Sequence, residues 1–260
     1  ALFQEDVDFL NLGFVVVDEQ HKFGVVQRAR MHMQKHKPHF LMMSATPIPR
    51  TLGLVLFAGL DVSTLRDMPF GVRNVKTYWI TQKKERNVYD FVKKKVREGE
   101  QAYIIFPLVE ESEKVDLSGA TEEYERLKKT EFKDIRIALV HGKIDKQKKN
   151  RIMNEFRDKA VDVLVATTVI EVGIDNPNAS IIIIQHAERF GLSQLHQMRG
   201  RVGRGKKESF CFLFGDPSTE TGKKRLRLMT KTNDEFKIAE QDQLLRGPGE
   251  IKKKKKGRVP

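Results

Sequence analysis

Phe14-Val15-Val16-Val17 runs straight into Asp18-Glu19-Gln20-His21. A short apolar run of this kind reads as a buried strand, and open α/β sheets bind ligands at the carboxyl ends of their strands. Asp18 would hold Mg2+ there, through water, and Glu19 would polarise an attacking water. The next apolar run ends in Ser44-Ala45-Thr46-Pro47. Small hydroxyls at that point can contact the acidic motif and pass on whether a γ-phosphate is present. Taken alone, His21 is a surface histidine, and Ser44 to Pro47 is a strand exit closed by proline. No G-x-x-x-x-G-K-[ST] occurs in the 260 residues. That loop supplies the amides and lysine that hold β- and γ-phosphates. The chain therefore reads as the later part of an ATP-driven motor, beginning just upstream of its second acidic motif.

A second group of residues lies further on. Thr167-Thr168-Val169-Ile170-Glu171-Val172-Gly173-Ile174-Asp175 follows the run Val163-Leu164-Val165. Hydroxyls at a strand end can touch nucleic-acid phosphate, while Gly173 and Asp175 sit where they can face nucleotide. Gln197-Met198-Arg199-Gly200-Arg201-Val202-Gly203-Arg204-Gly205 sets three arginines among glycines. Glycine weakens a helix by about 1 kcal/mol, so this stretch reads as neither core nor ordinary helix. Arginine's planar fork suits a γ-phosphate and offsets transition-state charge, which assigns phosphate contact to Arg201 and Arg204. His186, Phe190 and Met198 are expected to be packing or local hydrogen-bonding residues.

Net charge is +13, with 48 Lys and Arg against 35 Asp and Glu, which favours a polyanionic partner. Lys252 to Lys256 supply five of those charges. The apolar share of 39% with 16 Phe supports a sizeable core. The one cysteine, Cys211, is expected to be buried, and a lone thiol forms no internal disulfide, which fits a reducing cytosol. No apolar stretch approaches the roughly 18 residues of a membrane span.

The elements that must position these residues alternate between apolar runs and polar helical stretches. Strands are expected at 14–17, 40–43, 102–108, 135–140, 162–166, 180–185 and 209–214, and helices at 84–98, 121–130, 146–157, 221–231 and 236–245. Several strands are apolar at nearly every residue, as when helices cover both sheet faces. The alternation predicts a parallel α/β sheet. Two strands before Leu60 are too few for a lobe, whereas those between Asn74 and Asp216 suffice for one. Met68-Pro69-Phe70-Gly71 reads as the linker.

At this point the motifs resemble those of the RecG family of bacterial DNA helicases. The general helicase pattern is matched at Asp18 to His21, Ser44 to Thr46, 167–175 and Gln197-x-x-Gly200-Arg201-x-x-Arg204. The narrower resemblance lies in Ile48 to Leu52, Phe106 to Glu113 and Ala187 to Gln197. Transcription-repair coupling factors share much of the first and last stretch, while Pro107 to Glu113 and Phe236 to Glu250 favour RecG. The resemblance implies RecA-like P-loop helicase lobes with parallel sheets. It implies an incomplete first lobe over 1–72, a complete second lobe over 73–216 and a helical hairpin with a translocation tail over 217–260. It implies ATP and Mg2+ as cofactors, with Asp18 and Glu19 as the second-motif acids and Gln20 and His21 beside the nucleotide. Ser44 and Thr46 would couple hydrolysis to movement, and Thr167 and Thr168 would touch nucleic acid. Gly173 and Asp175 belong to the motif before the last. Gln197, Arg201 and Arg204 belong to the last motif and face ATP. Arg246 is the best-placed residue of the tail.

The implied partner is branched double-stranded DNA, at replication forks and Holliday junctions. The implied outcome is branch migration and fork regression by a cytoplasmic, nucleoid-associated and monomeric bacterial protein. Family members continue after Gly249-Glu250 with aromatic and Gly-, Arg- or Gln-rich sequence, where this chain has Ile251 and five lysines. The translocation loop is expected to be altered there, and the 260 residues alone are expected neither to hydrolyse ATP nor to unwind DNA. Three readings stand beside this one. One is the motor of a transcription-repair coupling factor, and one is a DNA-binding module without turnover. The third is an RNA helicase, which would typically show Asp-Glu-Ala-Asp where this chain has Asp-Glu-Gln-His.

Overall fold

The computed structural model describes residues 9–18, 38–44, 61–65, 75–107, 113–167, 176–203, 205 and 207–246, with backbone alone at 113–116 and 246. Two parallel sheets occur among them. β1 (Phe14–Val17) pairs with β2 (His39–Met42). The larger sheet has six strands: β3 (Val75–Ile80), β4 (Gln101–Phe106), β5 (Ile137–Val140), β6 (Val163–Thr167), β7 (Ala179–Ile184) and β8 (Ser209–Phe214). Their order across the sheet is β3-β8-β7-β4-β6-β5, and every pair is parallel. Parallel neighbours require crossovers. Four helices provide them, α1 (Glu85–Arg97), α2 (Glu113–Lys129), α3 (Lys146–Arg157) and α4 (Leu192–Arg199). A pair then follows β8, α5 (Glu220–Lys231) and α6 (Glu235–Arg246).

Alternation along each strand divides the core in two. Tyr103, Ile105, Leu164, Ala166, Ile182, Ile184, Cys211 and Leu213 face Phe156 of α3, Leu192 and Leu195 of α4, and Leu226, Met229 and Ile238 of the last two helices. Ala102, Ile104, Val163, Val165, Ile181, Ile183, Phe210, Phe212 and Phe214 face Val88, Tyr89 and Val92 of α1 and Leu127 of α2. Burying each large apolar side chain is worth about 1.5–3 kcal/mol, so both faces contribute heavily. Cys211 is buried as expected, and burial pushes its thiol up to about 12.

Local chemistry sets the helix ends. Gly99, at φ 80°, closes α1 by donating to Val96 O at 2.9 Å, a left-handed position that glycine takes without strain. Asp145 caps α3 by accepting from the amides of Gln147 and Lys148.

Most expected strands form within a residue or two of their predicted bounds, but β3 was not foreseen. It is an edge strand that mixes Lys76 and Thr77 with Tyr78 and Trp79, and Tyr78 stays 44% exposed. A search for unbroken apolar runs passes over such a strand. Trp79 anchors it by donating from Nε1 to Gly215 O at 2.9 Å. The expected 121–130 helix starts earlier, at Glu113. The expected strand 135–140 starts later, because Ile135 N bonds to Phe132 O in a turn. Segment 192–199, not expected to be helical, is α4.

Ile183 sits fully buried in β7, near the middle of the sheet. Ile183→Ala should destabilise the chain by about 2–5 kcal/mol, read from urea denaturation.

Candidate nucleotide and nucleic-acid site

Asp18 and Ser44 emerge side by side. Val17 pairs with Met42, and Met43 N donates to Val17 O at 2.8 Å, so both chains leave the small sheet at one edge. Val17 is 3% exposed, while Asp18 and Ser44 are exposed. The expected buried strand is buried at Val17 alone, since Phe14 and Val16 are 58% and 51% exposed among the described residues, and the paired strands deliver a carboxylate and a hydroxyl to solvent at one edge. Mg2+ usually takes one or two carboxylates plus phosphate oxygens, and Asp18 suits that arrangement. No group of three or more His, Cys, Asp or Glu that could cage a metal occurs among the described residues.

Thr167 closes β6 opposite Phe106 of β4, at the carboxyl edge of the large sheet. It is fully buried, and its Oγ1 has no hydrogen-bond partner among the described residues. Gln197 lies half-buried on α4. Arg201 is also half-buried and follows the helix at once, with its amide donating to Met198 O at 3.0 Å. Gly203 then turns the chain at φ 85°. Beyond it, Gly205 lies against the carbonyl of Pro177, just before β7 begins. The arginine turn therefore heads for the amino edge of the sheet and Thr167 stands at the opposite edge. The structure brings Asp18 and Ser44 together, and it keeps Thr167 and Arg201 apart. Glu19, Gln20, His21, Thr46, Thr168, Gly173, Asp175 and Arg204 lie outside the described residues, as does the side chain of Arg246, whose backbone ends α6.

Arg199 corrects the reading of the arginine–glycine stretch as free of core. It is 3% exposed. Its Nη1 donates to Met229 O at 3.1 Å and Thr232 O at 2.9 Å, and its Nη2 lies 2.9 Å from His196 Nδ1. Those two carbonyls belong to the end of α5, where helices leave acceptors unpaired and favour a cation. Composition could not reveal this, because the partners lie about thirty residues downstream.

His196 completes the link, with Nε2 3.4 Å from Glu235 Oε2 on α6. Burial, helped by Arg199, pushes the imidazole down to about 4. The contact with Glu235 would suit a charged histidine, but burial and the adjacent guanidinium outweigh it. The ring is neutral, with Nδ1 accepting from Arg199 and Nε2–H facing the carboxylate. Burial also raises Glu235, followed by the charge of Asp234. Ser193 adds a third tie, donating to Asp242 Oδ2 at 3.3 Å. One helix of eight residues thus holds both members of the tail pair and carries Gln197 and the start of the arginine turn.

With a parallel sheet covered on both faces and an arginine turn after its last crossover helix, the domain is a helicase lobe. Residues 83–206 match the helicase conserved C-terminal domain. Over its whole length the chain is 46% identical to the ATP-dependent DNA helicase RecG of Bacillus subtilis and 47% identical to that of Synechocystis. It spans 38% and 31% of those proteins, about a third of their length. A solved structure of RecG bound to a three-way DNA junction superposes with a TM-score of 0.73 at 43% identity. That match covers 95% of this chain and 32% of the other. Yeast Dbp5 bound to RNA and ADP BeF3 shares the fold, with a TM-score of 0.61 at 14% identity. The chain is thus similar to RecG helicases along its length, and those named here come from bacteria.

A histidine held neutral in the fold and free to charge when unfolded makes stability depend on pH. The folded value near 4 lies below the ordinary 6.5, so the unfolded chain binds the extra proton between them. The contribution is complete above about pH 6.5 and is lost as pH falls toward 4, with a slope of at most about 1.4 kcal/mol per pH unit. Urea titrations between pH 4.5 and 7 should show this component in the parent chain and its loss in His196→Asn.

Proposed function

We propose that this chain is the motor segment of an ATP-dependent translocase acting on branched double-stranded DNA. In this reading the protein drives branch migration of Holliday junctions and regression of stalled forks in the bacterial cytoplasm. The observation that carries it is the match over 95% of the chain to RecG bound to a three-way DNA junction. The β1–β2 sheet belongs to the first lobe, residues 73–216 to the second, and residues 217–260, with the two last helices, to a translocation tail.

Asp18 holds Mg2+ and Glu19 orients the water, while Gln20, His21, Gly173, Asp175 and Gln197 line the nucleotide. Mg2+ would neutralise charge between phosphate oxygens there. Arg201 and Arg204 offset charge that develops on the γ-phosphate, a role that rewards a fixed position. Ser44 and Thr46 report nucleotide state, and Thr167, Thr168 and Arg246 serve the DNA side. α4 supports the coupling, since the helix that leads into Arg201 also grips the tail through Arg199, His196 and Ser193. Contact with phosphates by Lys, Arg and hydroxyls carries no sequence preference.

Two measurements test this reading. The purified 260 residues carry no phosphate-binding loop, and they should show no DNA-stimulated ATP turnover, whereas a full-length protein with the loop should show it. Catalytic turnover by the 260 residues would contradict the division of labour. A three-way fork titrated against linear duplex at two salt concentrations then reads the DNA side. Fork preference that survives added salt places junction recognition partly in the second lobe and tail. Equal binding that vanishes with salt reduces this segment to an electrostatic grip.

A further inference from the structure

Two adjacent polar residues at the amino edge of the sheet have no part in the nucleotide chemistry. Glu100 precedes β4 and Gln101 begins it, and they are 5% and 2% exposed. Gln101 Nε2 donates to Phe156 O at 2.5 Å and to Val161 O at 2.7 Å. Both partners are acceptors only, so the amide has one permitted orientation and its oxygen must face the other way. There Gln101 Oε1 accepts from Asn176 Nδ2 at 3.1 Å. Asn176 is 1% exposed and is oriented in turn, with its Oδ1 accepting from Asn178 N at 3.0 Å. Asn178 O accepts from Gln101 N at 3.0 Å, and Asn176 O accepts from Ala179 N at 3.1 Å. The 176–178 turn is therefore locked through both side chains and backbone.

The arginine turn rests on that lock. A Cβ placed on Gly205 would stand 2.5 Å from Pro177 O, and a backbone carbonyl in a closed turn has nowhere to go. Lys207 Nζ lies 3.9 Å from Glu100 Oε1, and Glu100 also accepts from Ser180 Oγ. The head of β4 thus fixes both the turn beneath Gly205 and the chain leaving it.

We propose that Gln101 and Asn176 are positioning residues for Arg201, acting through the Pro177 carbonyl on which Gly205 docks. With α4 fixing the turn's start and 176–178 fixing its end, the Arg201 guanidinium is delivered to one place. The inference rests on the proposed phosphate-contacting role of Arg201. It adds that glycine is required at 205 for clearance.

The test uses full-length protein with its phosphate-binding loop, as Asn176→Ala, Gly205→Ala and the double variant. ATP kcat and KM at saturating fork DNA, DNA Kd and Tm are read together. Each single change should lower kcat on the order of tenfold or more with DNA Kd little changed. The double variant should be no worse than the worse single, because both act through one contact. Losses that multiply, or parental kcat in a folded single variant, would overturn the inference. Where Asn176→Ala yields no soluble protein, Asn176→Ser takes its place. Hydrogen exchange over residues 200–207 is read in parallel and should speed about tenfold or more in the Asn176 variant. Unchanged exchange also overturns the inference. A parent without DNA-stimulated turnover would remove the proposed function, while exchange would still decide the docking.

Discussion

A six-stranded parallel sheet buried on both faces leaves water no access except at its edges, and this constraint orders the rest of the molecule. Backbone groups inside the sheet are taken up by the ladder, and side chains there must be apolar. Function is thereby pushed to the rims. Thr167 and Gln185 stand at the carboxyl rim, the latter donating to Tyr89 Oη at 2.9 Å. Glu100, Gln101 and Asn176 crowd the amino rim, each with its polar atoms engaged. Buried polar groups in such places are costly unless satisfied, which explains why those of the amino rim form a closed set, whereas Thr167 Oγ1 at the carboxyl rim has no partner among the described residues.

Much of this fold was legible in the sequence because fully buried parallel strands announce themselves as unbroken apolar runs. Val163 to Ala166 and Ile181 to Ile184 are of this kind. The edge strand β3 was not legible, since one side of it meets solvent and its pattern loses contrast. Asp18 and Ser44 could be placed at a strand exit, and the parallel pairing of β1 with β2 sets those exits on one edge. Arg199 was misread for a different reason. Its role depends on carbonyls at the end of another helix, and no local pattern encodes a partner so far along the chain. Gln101 and Asn176 were silent for the same reason, each being ordinary until the other is in place.

The last two helices gain meaning from what they touch. α5 caps the crossover face with Leu226 and Met229, and α6 adds Ile238 to the same core. Polar ties from α4 reach both helices, and Arg225 Nη1 donates to Phe190 O at 3.0 Å just before α4, so the pair extends the packing of the six-stranded sheet. Arg201 therefore sits between two fixed points of different character. One is a charged hydrogen-bond cluster with the tail, and the other is a steric contact with a turn.

The partnership of Trp79 with Gly215 has a temporal consequence. The two residues are 136 positions apart, and β3 can join the sheet only beside β8. A ribosome adds roughly 5–20 residues per second, so β3 waits roughly 7–27 s for its neighbour to be made. Through that interval Trp79 and Ile80 have no strand to lie against, and the nascent chain carries an apolar segment open to chaperones. The order of the strands in the sheet thus sets a period of vulnerability during every round of synthesis.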